Sequence, residues 1–123
     1  ARPDRMVIQV VGDGSFYFNN PSSVFAVSRR YQLPLLTVVL DNGGWSAVKQ
    51  STLRVYPEGE AQAQDAFEAE LPEGVEYTRI GEAFGAHGVK VTDPERLAEA
   101  IRDCVASVKS GRSAVLHVQI TAF

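Results

Sequence analysis

Met6-Val7-Ile8-Gln9-Val10-Val11-Gly12-Asp13-Gly14-Ser15 is a β-branched, almost continuously apolar run that stops abruptly at an aspartate between two glycines. A run of that composition predicts a strand buried on both faces, as in a parallel sheet. A second such run, Leu35–Leu40, also ends in a turn cluster, Asp41-Asn42-Gly43-Gly44. Between the two, Pro21-Ser22-Ser23 opens a helix with Ser22 or Asn20 as its cap. Val24, Phe25, Val27, Ser28 and Tyr31 form the expected packing face of that helix, Arg29 and Arg30 turn to solvent, and Leu33-Pro34 ends it.

Downstream, a short helix is expected from Trp45 to about Leu53, and Val55-Tyr56-Pro57-Glu58-Gly59 breaks the pattern. Residues 58–76 are acidic and alanine-rich, with Pro72-Glu73-Gly74 as a turn. Two readings compete there: a solvated face or mobile loop, and a binding lid. Residues 78–84 predict a helix on which Ile80, Ala83 and Phe84 share a face, and His87–Val91 a short strand. Asp93-Pro94 starts the clearest helix, with Asp93 as cap and Pro94 at the first helical position. Leu97, Ala98, Ile101, Val105 and Val108 recur at helical spacing, Gly111 ends the helix, and residues 113–120 form the last strand. Strands alternate with helices, and the strand runs are nearly all apolar. That combination predicts an α/β fold with a mostly parallel sheet sandwiched by helices. With no internal repeat or low-complexity linker, residues 1–123 read as one domain.

Composition narrows the function classes. Of 123 residues, 45% are hydrophobic and 22% charged, as in ordinary globular domains. No apolar run approaches the roughly 20 residues of a membrane helix, so no membrane partner is expected. The net charge of −3 argues against a nucleic-acid surface, which needs a dense basic patch. It also means that a bound phosphate needs positive charge from a metal ion. The single cysteine, Cys104, has no partner for an internal disulfide and fits a reducing, cytoplasmic setting. Ala1-Arg2-Pro3-Asp4-Arg5 lacks the apolar stretch of a signal peptide and a starting Met, and reads as the start of an excised or processed piece.

In an open parallel sheet, ligands sit beyond the carboxyl ends of the strands, where both turn clusters fall. Asp13 and Asn42 are therefore candidates to face each other across neighbouring loops. A hard carboxylate, an amide oxygen and a backbone carbonyl suit magnesium, which completes its octahedron with phosphate oxygens and water. The glycines allow close backbone approach or positive φ. Ser15 and the N–H groups after it can donate to an anion. Other glycine motifs do not fit: Tyr17 stands where a dinucleotide fingerprint needs its third glycine, and no Gly-Lys-Ser/Thr is present. Taken alone, Gly12-Asp13-Gly14 is an ordinary turn sequence.

Residues 10–45 resemble the signature of thiamine diphosphate enzymes, Gly-Asp-Gly followed after twenty-odd residues by Asn-Asn, and weaker similarity continues to Gly59. The flavour is that of the C-terminal, diphosphate-binding domain in the acetolactate synthase and benzoylformate decarboxylase branch, truncated on its N-terminal side. The resemblance implies thiamine diphosphate and Mg2+ as cofactors. It implies Asp13, the Asn42 side chain and the Gly44 carbonyl as metal ligands. Gly12, Gly14, Ser15, Asn42, Gly44, Trp45 and Ser46 are the implied cofactor contacts, and Ala47 and Val48 would border the substrate channel. Trp45 and Val48 also read as helix-face core residues. Asp41 departs from the family's first Asn and adds negative charge; by its type it also reads as a cap. The interval between the two halves is slightly long, with the extra length placed at Phe18-Asn19-Asn20-Pro21.

The resemblance further implies a glutamate from another domain, usually in a partner subunit, that assists cofactor activation, so no catalytic residue is assigned here. The implied partners are a pyrimidine-binding domain, further copies in a homo-oligomer and a small 2-oxo acid. Simple pyruvate decarboxylases carry a glutamate where Val48 stands, which favours a carboligase or an aryl- or acyl-type enzyme. The chain alone is expected to be inactive. A natural separate subunit and a non-enzymatic α/β interaction module are the alternatives. Lys49 reads as a solvated charge, His87 as structural, His117 as packing or hydrogen bonding within the last strand, and Cys104 as buried.

Overall fold

A computed structural model describes residues 4–122; residues 1–3 and Phe123, which the one-domain reading includes, lie outside the described residues. Four strands, β1 (Val7–Gly12), β2 (Leu35–Asp41), β3 (His87–Val91) and β4 (Ala114–Gln119), form a sheet in the order β1-β2-β4-β3. Every pairing is parallel. The connections carry α1 (Asp13–Phe18), α2 (Pro21–Tyr31), α3 (Ser46–Val55), α4 (Glu60–Ala63), α5 (Tyr77–Glu82) and α6 (Leu97–Lys109). The expected α/β fold with its parallel sheet and flanking helices is what the chain adopts.

Parallel strands need helices on both faces, and two apolar layers result. On one face Leu36, Ala114, Leu116, Val118 and Val91 pack against Ala100, Cys104 and Val108 of α6. On the other, Val39 and Val115 meet Phe16 of α1, Phe25 of α2 and Tyr77 of α5. β4 lies centrally and buries all but its last residue. Asp93 caps the turn before α6, its carboxylate accepting the Glu95 N–H at 3.0 Å, and Gly111 follows that helix at φ 92°. Ser28 is buried through a 2.6 Å hydroxyl contact with Ser113, whose oxygen also accepts the Leu35 N–H at 3.1 Å. That pair ties the end of α2 to the starts of two strands.

Three expectations are corrected. β1 is not buried on both faces: Val7, Ile8 and Val10 are 56%, 52% and 63% exposed. It is an edge strand, paired only with β2 among the described residues, and of its apolar side chains Val11 alone packs against the helix-side core. On α2 only Phe25 and Ser28 are buried, while Val24, Val27 and Tyr31 are exposed; of the two expected caps, Asn20 holds the position. Residues 58–76 are not a free loop throughout, because Phe67, Ala69 and Leu71 are buried.

Burial pushes the Cys104 thiol up to about 11. At pH 8 only about one thiol in a thousand is then thiolate, the reactive form. Cys104 is expected to resist iodoacetamide in the native protein at pH 8 and to react fully in guanidinium; native labelling at the rate of a free thiol would contradict its burial.

Candidate functional site

β1 and β2 are paired with Gly12 opposite Leu40, so the two turn clusters emerge side by side at the carboxyl end of the sheet. Gly12 is extended, and α1 begins immediately at Asp13, which is only 1% exposed. Asp41 closes β2, after which Gly43 and Gly44 take φ values of 87° and 158°. At Gly43 that is the left-handed region which glycine adopts without steric penalty. The chain thereby turns back, and the amide end of Asn42 reaches within 3.0 Å of both Asp13 Oδ1 and the Gly44 carbonyl oxygen.

This convergence has a chemical meaning. With nitrogen at that end, the amide donates to both oxygens; with oxygen there, three oxygens face one another. Octahedral magnesium, with ligands at about 2.1 Å, places adjacent oxygens about 3.0 Å apart. The spacing therefore fits such an ion. Asp13 Oδ2 is buried with no hydrogen-bond partner. Burial pushes the Asp13 carboxyl above the ordinary carboxylate value, and neighbouring Asp41 pushes it further, against the lowering effect of the Gly14 and Gly43 backbone. Burial also pushes Asp41 up, but hydrogen bonds from His117 and Gly43 outweigh it and hold Asp41 below the ordinary value. Two carboxyl groups, one with an oxygen that has no hydrogen-bond partner, give these turns a local negative charge that a cation would offset. No group of three or more His, Cys, Asp and Glu side chains fit for a metal occurs among the described residues, so any hard-cation site must draw on amide and carbonyl oxygens as this one does.

The second turn is clamped from its far side by the strap the sequence did not assign. The Trp45 N–H donates to the Ala69 carbonyl at 2.7 Å, the Leu71 N–H donates to the Gly43 carbonyl at 2.8 Å, and Gly44 bridges Glu70. The alternating apolar residues Phe67, Ala69 and Leu71 were the signal for it, a short extended segment with one buried face. Gly14 needs to be glycine for space, not for φ: a Cβ there would run into the Trp45 indole. Trp45 in turn meets the Tyr17 ring edge-on at 6.1 Å.

Of the other anticipated residues, Ser15 is exposed beside the turn, and Ser46 opens α3. Ala47 and Val48 are exposed and α3 buries no residue, so the core reading of Val48 is corrected. Lys49 is not fully solvated; its ammonium lies 5.0 Å from the centroid of Phe67 and its side chain is 22% exposed. His87 contacts Asp103 at 2.8 Å, away from the turns. His117 is fully buried and bonded to Asp41 at 2.7 Å, a pairing of residues far apart in sequence. A cleft of about 490 Å³ flanks the second turn, lined by Asp41, Glu70, Glu73, Tyr77 and Lys90 among others. Its wall carries three carboxyl side chains against one ammonium, a balance that does not suit a diphosphate without a cation.

Fold and site together define an α/β domain with candidate ligand groups at the carboxyl ends of adjacent parallel strands. Residues 1–118 match the model of the thiamine pyrophosphate enzyme, C-terminal TPP binding domain, and the chain belongs to that family. Its cofactor is thiamine diphosphate. The acetolactate synthase isozyme 3 large subunit of Escherichia coli K12 is 28% identical over 120 residues, covering 98% of this chain and 20% of that protein. The 2-hydroxyacyl-CoA lyase of Oryza sativa is 31% identical over 125 residues, covering 100% and 20%. The fold also matches the thiamine diphosphate-dependent 4-hydroxybenzoylformate decarboxylase of Rhodococcus jostii, with TM-score 0.73, 21% identity, and coverage of 98% and 21%. The chain spans about a fifth of the length of these relatives.

Gly14→Ala is expected to lower stability by about 1–3 kcal/mol through overpacking against the indole. A double-mutant cycle with Trp45→Ala, followed by thermal unfolding, tests this. The cost should shrink in the Trp45→Ala background; an equal cost in both would show that the indole is not the obstacle.

Proposed function

We propose that this chain is the Mg2+-diphosphate half of a larger thiamine diphosphate enzyme that decarboxylates or carboligates 2-oxo acids. The observation that carries the reading is the approach, to 3.0 Å, of the Asn42 amide to Asp13 Oδ1 and the Gly44 carbonyl. Asp13 supplies the charged ligand, Asn42 a neutral oxygen and Gly44 a backbone oxygen. Diphosphate oxygens and water would complete the octahedron. Gly12, Gly14 and Ser15 border the diphosphate on one side, and the backbone at Trp45 and Ser46 on the other. Ion and diphosphate offset each other's charge, which the acidic pocket alone could not do.

When bound, the cofactor's thiazolium supplies the electron sink for the carbanion left by decarboxylation. This chain's residues contribute binding and orientation. The two turns hold the diphosphate end, the strap over residues 43–45 keeps the second turn in place, and exposed Ala47 and Val48 are left to border the substrate. The activating glutamate and the pyrimidine-binding surface belong to another domain, of the same chain or of a partner subunit in a homo-oligomer. The exposed apolar β1 and the uncovered residues of α2 support such docking, since a patch of that kind is normally covered. Cytoplasmic placement is part of the same reading; no helix among the described residues is long and apolar enough to cross a membrane.

Calorimetry on the enzyme containing this chain tests the assignment. Thiamine diphosphate should bind only with Mg2+, be released by a chelator, and lose at least about 100-fold in affinity in Asp13→Ala, since loss of a ligand exceeds the 10- to 100-fold effect of outer partners. Unchanged affinity in that variant refutes the metal assignment. The isolated chain should turn over no 2-oxo acid; turnover by it would overturn the divided-site reading. Metal-dependent binding without turnover in the complete enzyme would favour the non-enzymatic module.

A further inference from the structure

We propose that His117 and Asp41 are a positioning pair that sets the reach of the second turn toward Asp13, an inference that rests on the metal-site reading above. Both Asp41 oxygens have fixed partners. Oδ2 accepts from His117 Nε2 at 2.7 Å, and Oδ1 accepts the Gly43 N–H at 3.1 Å. The Asp41 carbonyl accepts the Ile120 N–H at 2.8 Å. The residue immediately before Asn42 is thus tied to β4 by side chain and backbone and to its own turn by the other oxygen. A carboxylate only accepts, so the Nε2 proton belongs to His117.

The ring itself is held. His117 is 0% exposed, and Tyr77, also buried, stands edge-on to it with centroids 5.0 Å apart at 79°. Tyr77 is edge-on to Phe16 at 5.8 Å and 88°, and Phe16 lies one helical turn after Asp13 on α1. Phe16, Tyr77 and His117, all buried, and the partly exposed Asp41 therefore form a continuous chain of contacts linking the Asp13 helix to the Asn42 turn. His117 Nδ1 has no partner among the described residues, so one hydrogen bond orients the ring. A buried ionic or polar pair seldom adds stability over an apolar one of equal volume. What this pair supplies is direction: His117 fixes one Asp41 oxygen while the other shapes the positive-φ turn at Gly43.

The test compares two substitutions that fill the site differently in chemistry. In the complete enzyme, His117→Gln places an amide N–H near the Nε2 position, whereas His117→Phe keeps a ring without a donor. Mg2+-dependent thiamine diphosphate affinity, read by calorimetry, should stay within about twofold of wild type for Gln and fall about tenfold for Phe, as for loss of an outer-sphere partner. Similar affinities for Gln and Phe, whether both retained or both lost, overturn the proposal and leave His117 as a core filler. If His117→Phe does not fold, Asp41→Ala and Asp41→Asn replace it. Asn can accept from Gly43 and donate to the other His117 tautomer, so Asn should stay within about twofold of wild type and Ala should fall about tenfold; equal affinities overturn the pairing. Asp13→Ala is the control. If it too leaves affinity unchanged, the metal-site reading has failed, whereas its loss of binding alongside equal Gln and Phe variants rejects the positioning pair alone.

Discussion

Parallel pairing of β1 with β2 in one register is the constraint from which the candidate site follows. Gly12 lies opposite Leu40, so the next residues of both strands enter adjacent turns on the same end of the sheet. Shifting that register by one residue would reverse the side-chain faces of β1 and carry Asp13 away from Asn42. Once the register is set, α1 starts at Asp13 and buries its carboxyl, and the positive φ at Gly43 folds Asn42 and Gly44 back over it. The resulting pocket concentrates negative charge where little water reaches, which is why Asp13 holds its proton more tightly than a free carboxylic acid.

The supports of that pocket come from a strap, a helix and the sheet itself. The strap at residues 67–71 clamps the second turn from outside through backbone hydrogen bonds. Beneath it, the Phe16 and Tyr77 rings and the Tyr77 ring and His117 of β4 meet edge to face. The glycine at position 14 lets the Trp45 indole close over the start of α1. The opposite character appears at the sheet edge, where β1 leaves three large apolar side chains more than half exposed. A well-packed candidate site thus lies in the same sheet as a bare apolar edge.

Much of the fold was legible locally. The strand His87–Val91 and the helix after Asp93-Pro94 were marked by flanking glycine, capping aspartate and helical spacing, all of which act over a few residues. The two turn clusters were legible as glycine-rich ends of apolar runs. The exposure of Val24, Val27 and Tyr31 was not, because periodicity tells which residues are apolar and not whether anything packs on them. Residues 58–76 misled for a related reason: acidic composition concealed a short alternating segment whose buried face is created only by the turn it covers.

By itself the sequence determined the element order, the α/β class and the ligand types available at Asp13, Asn42 and Gly44, since these depend on local propensity and on side-chain chemistry. It also placed the chain near thiamine diphosphate enzymes through one motif in two halves. Tertiary structure alone decided which strand lies at the edge, which segment straps the second turn, and that Asp41 pairs with His117. Those outcomes depend on contacts between residues far apart in the chain. No local pattern encodes them, because the partner that satisfies each polar group is supplied only when the sheet assembles.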